Sequence, residues 1–362
     1  MQRDQVPTPA LVLDLDAMEQ NIATMTAHAA DVGVALRPHA KCHKSIEIAR
    51  RLAAAGALGP ACATIAEAEA MAGAGLGGIL VTSPLTSTQA LTRLRTLLAD
   101  GADLMLVVDD ADNVATLAEL ATSVGRTLPL LVELDVGVGR TGCVSPEQAL
   151  IVARAIAAAP SLGFAGVQAY WGNLQQVQPF AERSARVQAQ ATAVRRLLAM
   201  LQIAGLPPAI VTGGGTGTSF IDPTLGLFTE LQPGSFLFLD SCYGAVPLQD
   251  EANPFLPSLF VAASVITANR ANRVVVDAGL KALATDSGQA VPVRGAPAGA
   301  SFRFMGDEHG AIDFPAGEPP KPGAVIELLT PHCDPTVNLH ARYQVVRGDE
   351  VVDVWPIVAR GY

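Results

Sequence analysis

Aromatic residues are scarce in this chain, 5% against 50% hydrophobic residues overall. The apolar content rests mainly on Ala, Leu and Val, the composition of many packed helices rather than of a membrane protein. Long uninterrupted apolar runs are missing too. The charge-free windows 155–181 and 197–221 are broken by Gly, Pro, Gln or Asn, so neither suits a spanning helix. No basic tract offsets the net charge of −10, which argues against nucleic acid as a partner. The N-terminus has no basic segment followed by an apolar run, so no secretory signal is expected. The five cysteines are odd in number and scattered, as in a reducing compartment. A cytoplasmic enzyme of 362 residues, one large domain plus a smaller one, is the expectation.

What is present is a rhythm. To about residue 240, short apolar runs alternate with Ala/Leu-rich segments. The runs are 10–15, 34–36, 61–65, 78–82, 103–108, 128–134, 163–170, 209–212 and 230–239; segments such as 16–32, 87–99, 145–158 and 180–203 predict helices. Apolar strands separated by helices indicate a parallel sheet covered on its outer face. Eight such units make a β/α barrel, and nine strands leave one over, assigned here to the first. After about residue 250 the runs are short, β-branched and divided by Gly, Pro and Asp, which predicts a mostly antiparallel β domain.

Three clusters carry chemistry. Arg37-Pro38-His39-Ala40-Lys41-Cys42-His43-Lys44-Ser45 places Lys41 after a short strand among cationic and imidazole groups. Crowding by like charge with partial desolvation would lower its pKa and suit a Schiff-base nucleophile; a solvated basic turn is the alternative. Thr212-Gly213-Gly214-Gly215-Thr216-Gly217-Thr218 follows a strand, where converging backbone N–H groups and hydroxyls fit a phosphate; a surface turn is the plainer option. Barrels place phosphate sites after strands seven and eight, and Gly234-Ser235 lies in the next unit. Lysine and cradle together suggest pyridoxal phosphate. In His332-Cys333-Asp334-Pro335-Thr336, extended geometry would turn His332 and Asp334 to one side, able to share a divalent cation. A hydrogen-bonded histidine beside a turn aspartate accounts for the same residues.

Taken in order, these clusters resemble the D-threonine aldolase and D-serine dehydratase-like family, metal-dependent pyridoxal-phosphate enzymes built on an alanine-racemase-type barrel. Asp135-Val136-Gly137-Val138-Gly139-Arg140-Thr141-Gly142, Gly166-Val167-Gln168-Ala169-Tyr170 and Asp277-Ala278-Gly279-Leu280-Lys281 complete the likeness, which spans nearly the whole chain. It implies a (β/α)8 TIM-like barrel over residues 16–243 and a C-terminal β domain over 244–362, with strand 1–15 packing on the latter. Lys41 would carry the cofactor. Arg140 and Tyr170 would lie against its ring. Thr212, Gly214, Gly215, Thr216, Gly234, Ser235 and Tyr243 would surround its phosphate, and His332 and Asp334 would bind the metal, with Mn²⁺ or Mg²⁺ favoured by the oxygen ligand. Members are usually homodimers.

Dehydratase members tend to carry cysteine where Asp334 stands, so the motif implies an aldolase that splits β-hydroxy-D-amino acids into glycine and an aldehyde. Aldolases for 3-hydroxyaspartate and dehydratases of D-serine or 3-hydroxyaspartate are the rivals within the family. Cys42 replaces a common threonine, and Gln176 stands where aldolases often have histidine. His39, Trp171, Gln176, Asp307 and His309 are the candidates for the substrate pocket, with Trp171 equally suited to be a buried rim aromatic. His340 is a further candidate beside the metal.

Overall fold

The computed structural model describes residues 1–249 and 252–361. Its first nine strands are β1 (Ala10–Asp14), β2 (Ala35–Leu36), β3 (Ala61–Cys62), β4 (Ile79–Val81) and β5 (Leu104–Val108), then β6 (Leu128–Leu134), β7 (Leu162–Ala169), β8 (Ile210–Gly213) and β9 (Glu230–Leu231). Between them run α1 (Leu15–Asp31), α2 (Ile46–Ala54), α3 (Ile65–Gly73), α4 (Thr88–Ala99), α5 (Ala111–Ser123), α6 (Pro146–Ala158) and α7 (Phe180–Ile203). Short polar caps set the starts of these helices. Ser45, Thr64, Ser87, Asp110 and Ser145 each accept a backbone N–H from the first turn of α2 to α6.

Eight of these strands form one parallel sheet in the order β2-β9-β8-β7-β6-β5-β4-β3. Between its two edges Ala61 N–H donates to Pro38 O at 3.0 Å, and a parallel bridge pairs His39 with Ala61. The expected barrel architecture is present. The ninth run is shorter than its apolar pattern suggested: β9 ends at Leu231, because Pro233 and Gly234 interrupt it, and Ser235–Leu237 turn into a 3-10 helix. After β8, short 3-10 turns at Thr216–Thr218 and Asp222–Leu225 take the place of a long helix.

β1 lies in a second sheet, antiparallel to β10 (Leu259–Arg270) and parallel to a strand near the C-terminus. That sheet continues through β11 (Arg273–Val276), β12 (Val291–Arg294), β13 (Ser301–Phe304), β14 (Gly310–Asp313), β15 (Val325–Leu329), β16 (Arg342–Arg347) and β17 (Glu350–Pro356). Apart from β1 with β16, its pairings are antiparallel. Two short helices complete the architecture: α8 (Ser241–Gly244), leaving the barrel, and α9 (Cys333–Leu339), after β15.

Arg37 does not join the charges around Lys41. Its side chain turns into the barrel wall, donating to both carboxylate oxygens of Glu230 on β9 (2.7 and 2.9 Å) and to the Gly78 carbonyl before β4. Both partners are almost wholly buried, so the bidentate geometry offsets the desolvation of two charges. Removing one partner strands the other. Glu230→Ala is expected to cost about 3–5 kcal/mol of stability, read by urea denaturation; a loss under about 1 kcal/mol would show that Arg37 finds water or another acceptor.

Candidate active site

The C-terminal ends of the barrel strands open into a cavity of about 610 Å³. After β2, Lys41 sits in the 3-10 turn Ala40–Cys42. After β7 come Tyr170 and Gly172; after β8 come Gly214, Gly215 and Thr216; after β9 come Gln232, Gly234 and Ser235. His332, Asp334, Tyr243, Arg140, His39 and Gln176 line the same cavity.

Electrostatics around Lys41 differ from the expected crowding by like charge. Arg37 is paired with Glu230, and Lys44 donates to Glu67 Oε1 at 2.8 Å and to the Ala359 carbonyl at 2.9 Å. Burial lowers the pKa of His39 well below its ordinary value and that of His43 to about 3, so both imidazoles are neutral at pH 7. What faces Lys41 instead is a carboxylate. Asp334 Oδ2 lies 3.4 Å from Nζ and raises the lysine pKa against the opposing effect of burial. Free of any cofactor, Lys41 is therefore a stabilised ammonium.

The His332–Asp334 pair meets across a helix start, not along a strand. His332 is the extended residue before α9, and Asp334 lies in its first turn. His332 Nε2 and Asp334 Oδ1 are 4.0 Å apart. That separation is just under the sum of two ligand–ion distances of about 2.0–2.2 Å, so a small side-chain rotation that closes the gap would let the pair share one divalent cation, its other positions filled by water or substrate. Among the described residues no group of three or more His, Cys, Asp or Glu side chains gathers around one point, so the protein offers two ligands rather than a closed cage. Cys333 points away into the core.

The segment is held over the barrel mouth by a residue that sequence inspection missed. Asp240, fully buried, accepts the N–H of Tyr243 at 2.9 Å and of Cys333 at 2.7 Å. Ser241 and Cys242 N–H donate to the Thr330 and Pro331 carbonyls. Nothing in the local pattern marks Asp240 beyond its position as a helix cap.

The glycine loop has the features of an anion cradle. The N–H groups of Gly214, Gly215 and Gly234 find no acceptor among the described residues, yet these residues line the cavity. Gly214 has a left-handed φ of +70°, and a Cβ there would strike Asp222 Oδ2. A Cβ on Gly215 would meet Gln175 Oε1 at 2.5 Å. Gln175 ties the loop down, accepting Gly217 N–H and donating to the Trp171 carbonyl and Thr218 Oγ1. Orphaned donors held open by glycine fit a phosphate, and Lys41 across the same cavity fits the aldehyde end of pyridoxal phosphate. Arg140 stacks over the Tyr170 ring, 5.6 Å from its centroid.

Several expected pocket residues lie elsewhere. Trp171 is fully buried behind the wall, donating Nε1–H to Asp222 Oδ1 at 2.7 Å and packing edge-on to Phe228. Thr212 is also behind the wall, its hydroxyl accepting from Gln232 Nε2 at 2.8 Å. Asp307 and His309 occupy the exposed turn between β13 and β14 and do not line the cavity of this chain, because Leu280 and Lys281 N–H bond the Gly306 and Asp307 carbonyls and hold that turn against the segment after β11. His340 is bonded to the Ala282 carbonyl at 2.9 Å and does not reach the cavity. Gln176 lines the cavity with its amide on Cys242 Sγ at 2.8 Å. Gln168, Gln232 and Thr82 also line the cavity, though their alternation along strands has the pattern of ordinary barrel interior.

These features are those of a fold-type III pyridoxal-phosphate enzyme, and the chain belongs to that family. Residues 13–242 match the family model described as alanine racemase, N-terminal domain, and residues 258–346 match a putative serine dehydratase domain. The chain is 38% identical to D-threonine aldolase of Arthrobacter sp., covering 99% of this chain and 94% of that protein. It is 37% identical to 3-hydroxy-D-aspartate aldolase of Paracoccus denitrificans strain Pd 1222, covering 100% and 94%. The solved D-threonine aldolase from Filomicrobium marinum superposes with a TM-score of 0.93 at 37% identity, over 98% of this chain and 96% of that one.

Asp222, beneath the glycine loop, accepts from Trp171 Nε1 and Thr218 Oγ1, but burial dominates and pushes its pKa up to about 7. An acid whose folded pKa exceeds its unfolded value of about 3.9 loses stability as pH rises between the two. The protein is expected to lose on the order of 4 kcal/mol between pH 4 and pH 7 from this group. Asp222→Asn should flatten that slope in urea denaturation at pH 5 and pH 8. Parallel profiles for the two proteins would refute the assignment.

Proposed function

We propose that the protein is a pyridoxal-phosphate- and divalent-metal-dependent aldolase that cleaves β-hydroxy-D-amino acids to glycine and an aldehyde. The observation that carries this reading is that His332 and Asp334 face Lys41 across one cavity, with Asp334 Oδ2 only 3.4 Å from the lysine Nζ. A β-hydroxyl on a substrate held at the Lys41 end of the cavity would lie near His332 and Asp334.

When bound, pyridoxal phosphate supplies an electron sink for the broken Cα–Cβ bond, and a divalent cation acidifies the hydroxyl. The chain's own residues do the rest. Lys41 would hold the aldehyde end of the cofactor, and its amine, when free, can hold a proton at Nζ. Gly214, Gly215 and Gly234, whose N–H groups are unpaired, would hold the phosphate. Arg140 and Tyr170 would lie beside the cofactor's ring; burial raises the Tyr170 pKa, so the phenol stays protonated. His39 is neutral, its Nε2 3.3 Å from Thr82 Oγ1, and can share a hydrogen bond without adding charge. Gln176 carries no titratable proton and is bonded to Cys242, so it does not serve as the base for the hydroxyl proton.

Mn²⁺ or Mg²⁺ is the favoured ion, since Asp334 brings an oxygen ligand where a thiolate would favour zinc. The selection of D over L substrates rests on the names of the relatives, and assembly as a homodimer on the family resemblance of the sequence. A cytoplasmic setting is supported by the scattered free cysteines and the acidic charge. No helix among the described residues is long and apolar enough to cross a membrane.

Incubating the holoenzyme with D-threonine and D-phenylserine should yield glycine and the matching aldehyde with Mn²⁺, and little product after chelation. Lys41→Ala should abolish both activity and the visible absorbance of lysine-bound cofactor. Ammonia with a keto acid as products would assign a dehydratase instead, and activity indifferent to chelation would remove the metal from the mechanism.

A further inference from the structure

The loop joining β11 to β12 brings Asp286 to the back of His332. Asp286 Oδ2 lies 2.5 Å from His332 Nδ1, on the ring nitrogen opposite the one that faces Asp334. A carboxylate oxygen accepts, so the ring's Nδ1–H donates to Asp286, and the tautomer with that proton on Nδ1 presents the Nε2 lone pair toward Asp334. We propose that Asp286 is the positioning residue of the metal site, selecting the His332 tautomer and ring orientation that can bind a cation. The inference rests on the metal role of His332 and Asp334 proposed above.

Asp286 itself is half exposed, so a chance surface contact is the alternative to weigh. The loop around it argues otherwise, because it is fastened on both sides to the elements that carry His332. Before Asp286, the Ala282 carbonyl bonds His340 Nε2 at 2.9 Å, and Ala284 N–H donates to Thr336 Oγ1 at 3.1 Å. Thr336 and His340 belong to α9 and its end, and the Thr336 hydroxyl also donates to the His332 carbonyl at 2.7 Å. After Asp286, the Gln289 carbonyl accepts from Ser241 Oγ at 2.6 Å, and the same hydroxyl lies 3.4 Å from the Pro331 carbonyl. Gly288 packs against Pro331 so closely that a Cβ would come within 2.7 Å of its carbonyl oxygen, at a left-handed φ of +71°.

The carboxylate therefore stands on a loop pinned before and after it to the His332 segment. A free imidazole rotates about two bonds and exchanges tautomers; one held from behind is preorganised. With only two protein ligands, the site depends on each being correctly aimed.

The test uses the pyridoxal-phosphate-loaded protein, stripped of metal, titrated with Mn²⁺ by calorimetry and electron paramagnetic resonance. Asp286→Asn and Asp286→Ala should weaken Mn²⁺ binding by roughly 10–100-fold while leaving the cofactor absorbance unchanged. Asp286→Glu should recover part of the loss. In ¹⁵N-histidine spectra of the metal-free protein, His332 should be Nδ1-protonated in the wild type and shift toward the Nε2-protonated form in Asp286→Ala. His332→Ala serves as the control. If it abolishes Mn²⁺ binding while the Asp286 variants bind like wild type with an unchanged tautomer, the positioning role is overturned and the metal site stands. If His332→Ala binds Mn²⁺ like wild type, the metal reading fails and this inference fails with it.

Discussion

The site depends first on one buried carboxylate outside it. Asp240 accepts N–H groups from Tyr243, just past the barrel, and from Cys333, between the two proposed metal ligands. Charge-assisted bonds to backbone N–H groups in a buried setting are stronger than neutral ones and fix geometry on both sides. Through Asp240 the start of α8, where the chain leaves the barrel, and the start of α9 are joined at one corner. Asp240 acts together with the bonds from Ser241 and Cys242 N–H to the Thr330 and Pro331 carbonyls, which hold the same segment over the barrel mouth. Tyr343 adds a second tie from the other side of the sheet, its hydroxyl donating to the His43 carbonyl at 2.5 Å and holding the lysine turn against β16.

The barrel is legible in the sequence because its signals are local and repeated. Each strand is a short continuous apolar run, each of α2 to α6 starts at a Ser, Thr or Asp cap, and the observed helices 88–99, 146–158 and 180–203 fall within a residue of the pattern. The end of β9 departs from the pattern because apolar residues continue from Phe236 to Leu239. Those residues are buried in and just after a 3-10 turn, and burial alone does not distinguish a strand from a turn.

The cavity is less legible, for physical reasons that differ from residue to residue. Lys41 and the glycine loop stand out through composition. Asp240, Gln175 and Gln232 do not, since single polar residues act through contacts that are often distant along the chain. Trp171 illustrates the opposite error. It lies next to Tyr170 in sequence, yet successive residues leaving a strand point to opposite sides, so one lines the cavity and the other anchors Asp222.

Lys41 shows why charge runs mislead when read along the chain. Arg37, His39, His43 and Lys44 are basic or imidazole neighbours, but each finds its own environment: Arg37 in the barrel wall, Lys44 on Glu67, His39 and His43 in low-dielectric surroundings that keep them neutral. The group that governs Lys41 comes from the far end of the chain. Asp334 stands between the lysine and His332, near enough to act on both. While Lys41 is an ammonium, it is the cation that Asp334 faces; with its nitrogen committed to a cofactor, that charge is withdrawn and the carboxylate is left to an external cation. The barrel thus provides the anchoring amine and the anion cradle. The second sheet provides the groups that distinguish this site from a barrel that carries a lysine and a phosphate loop alone.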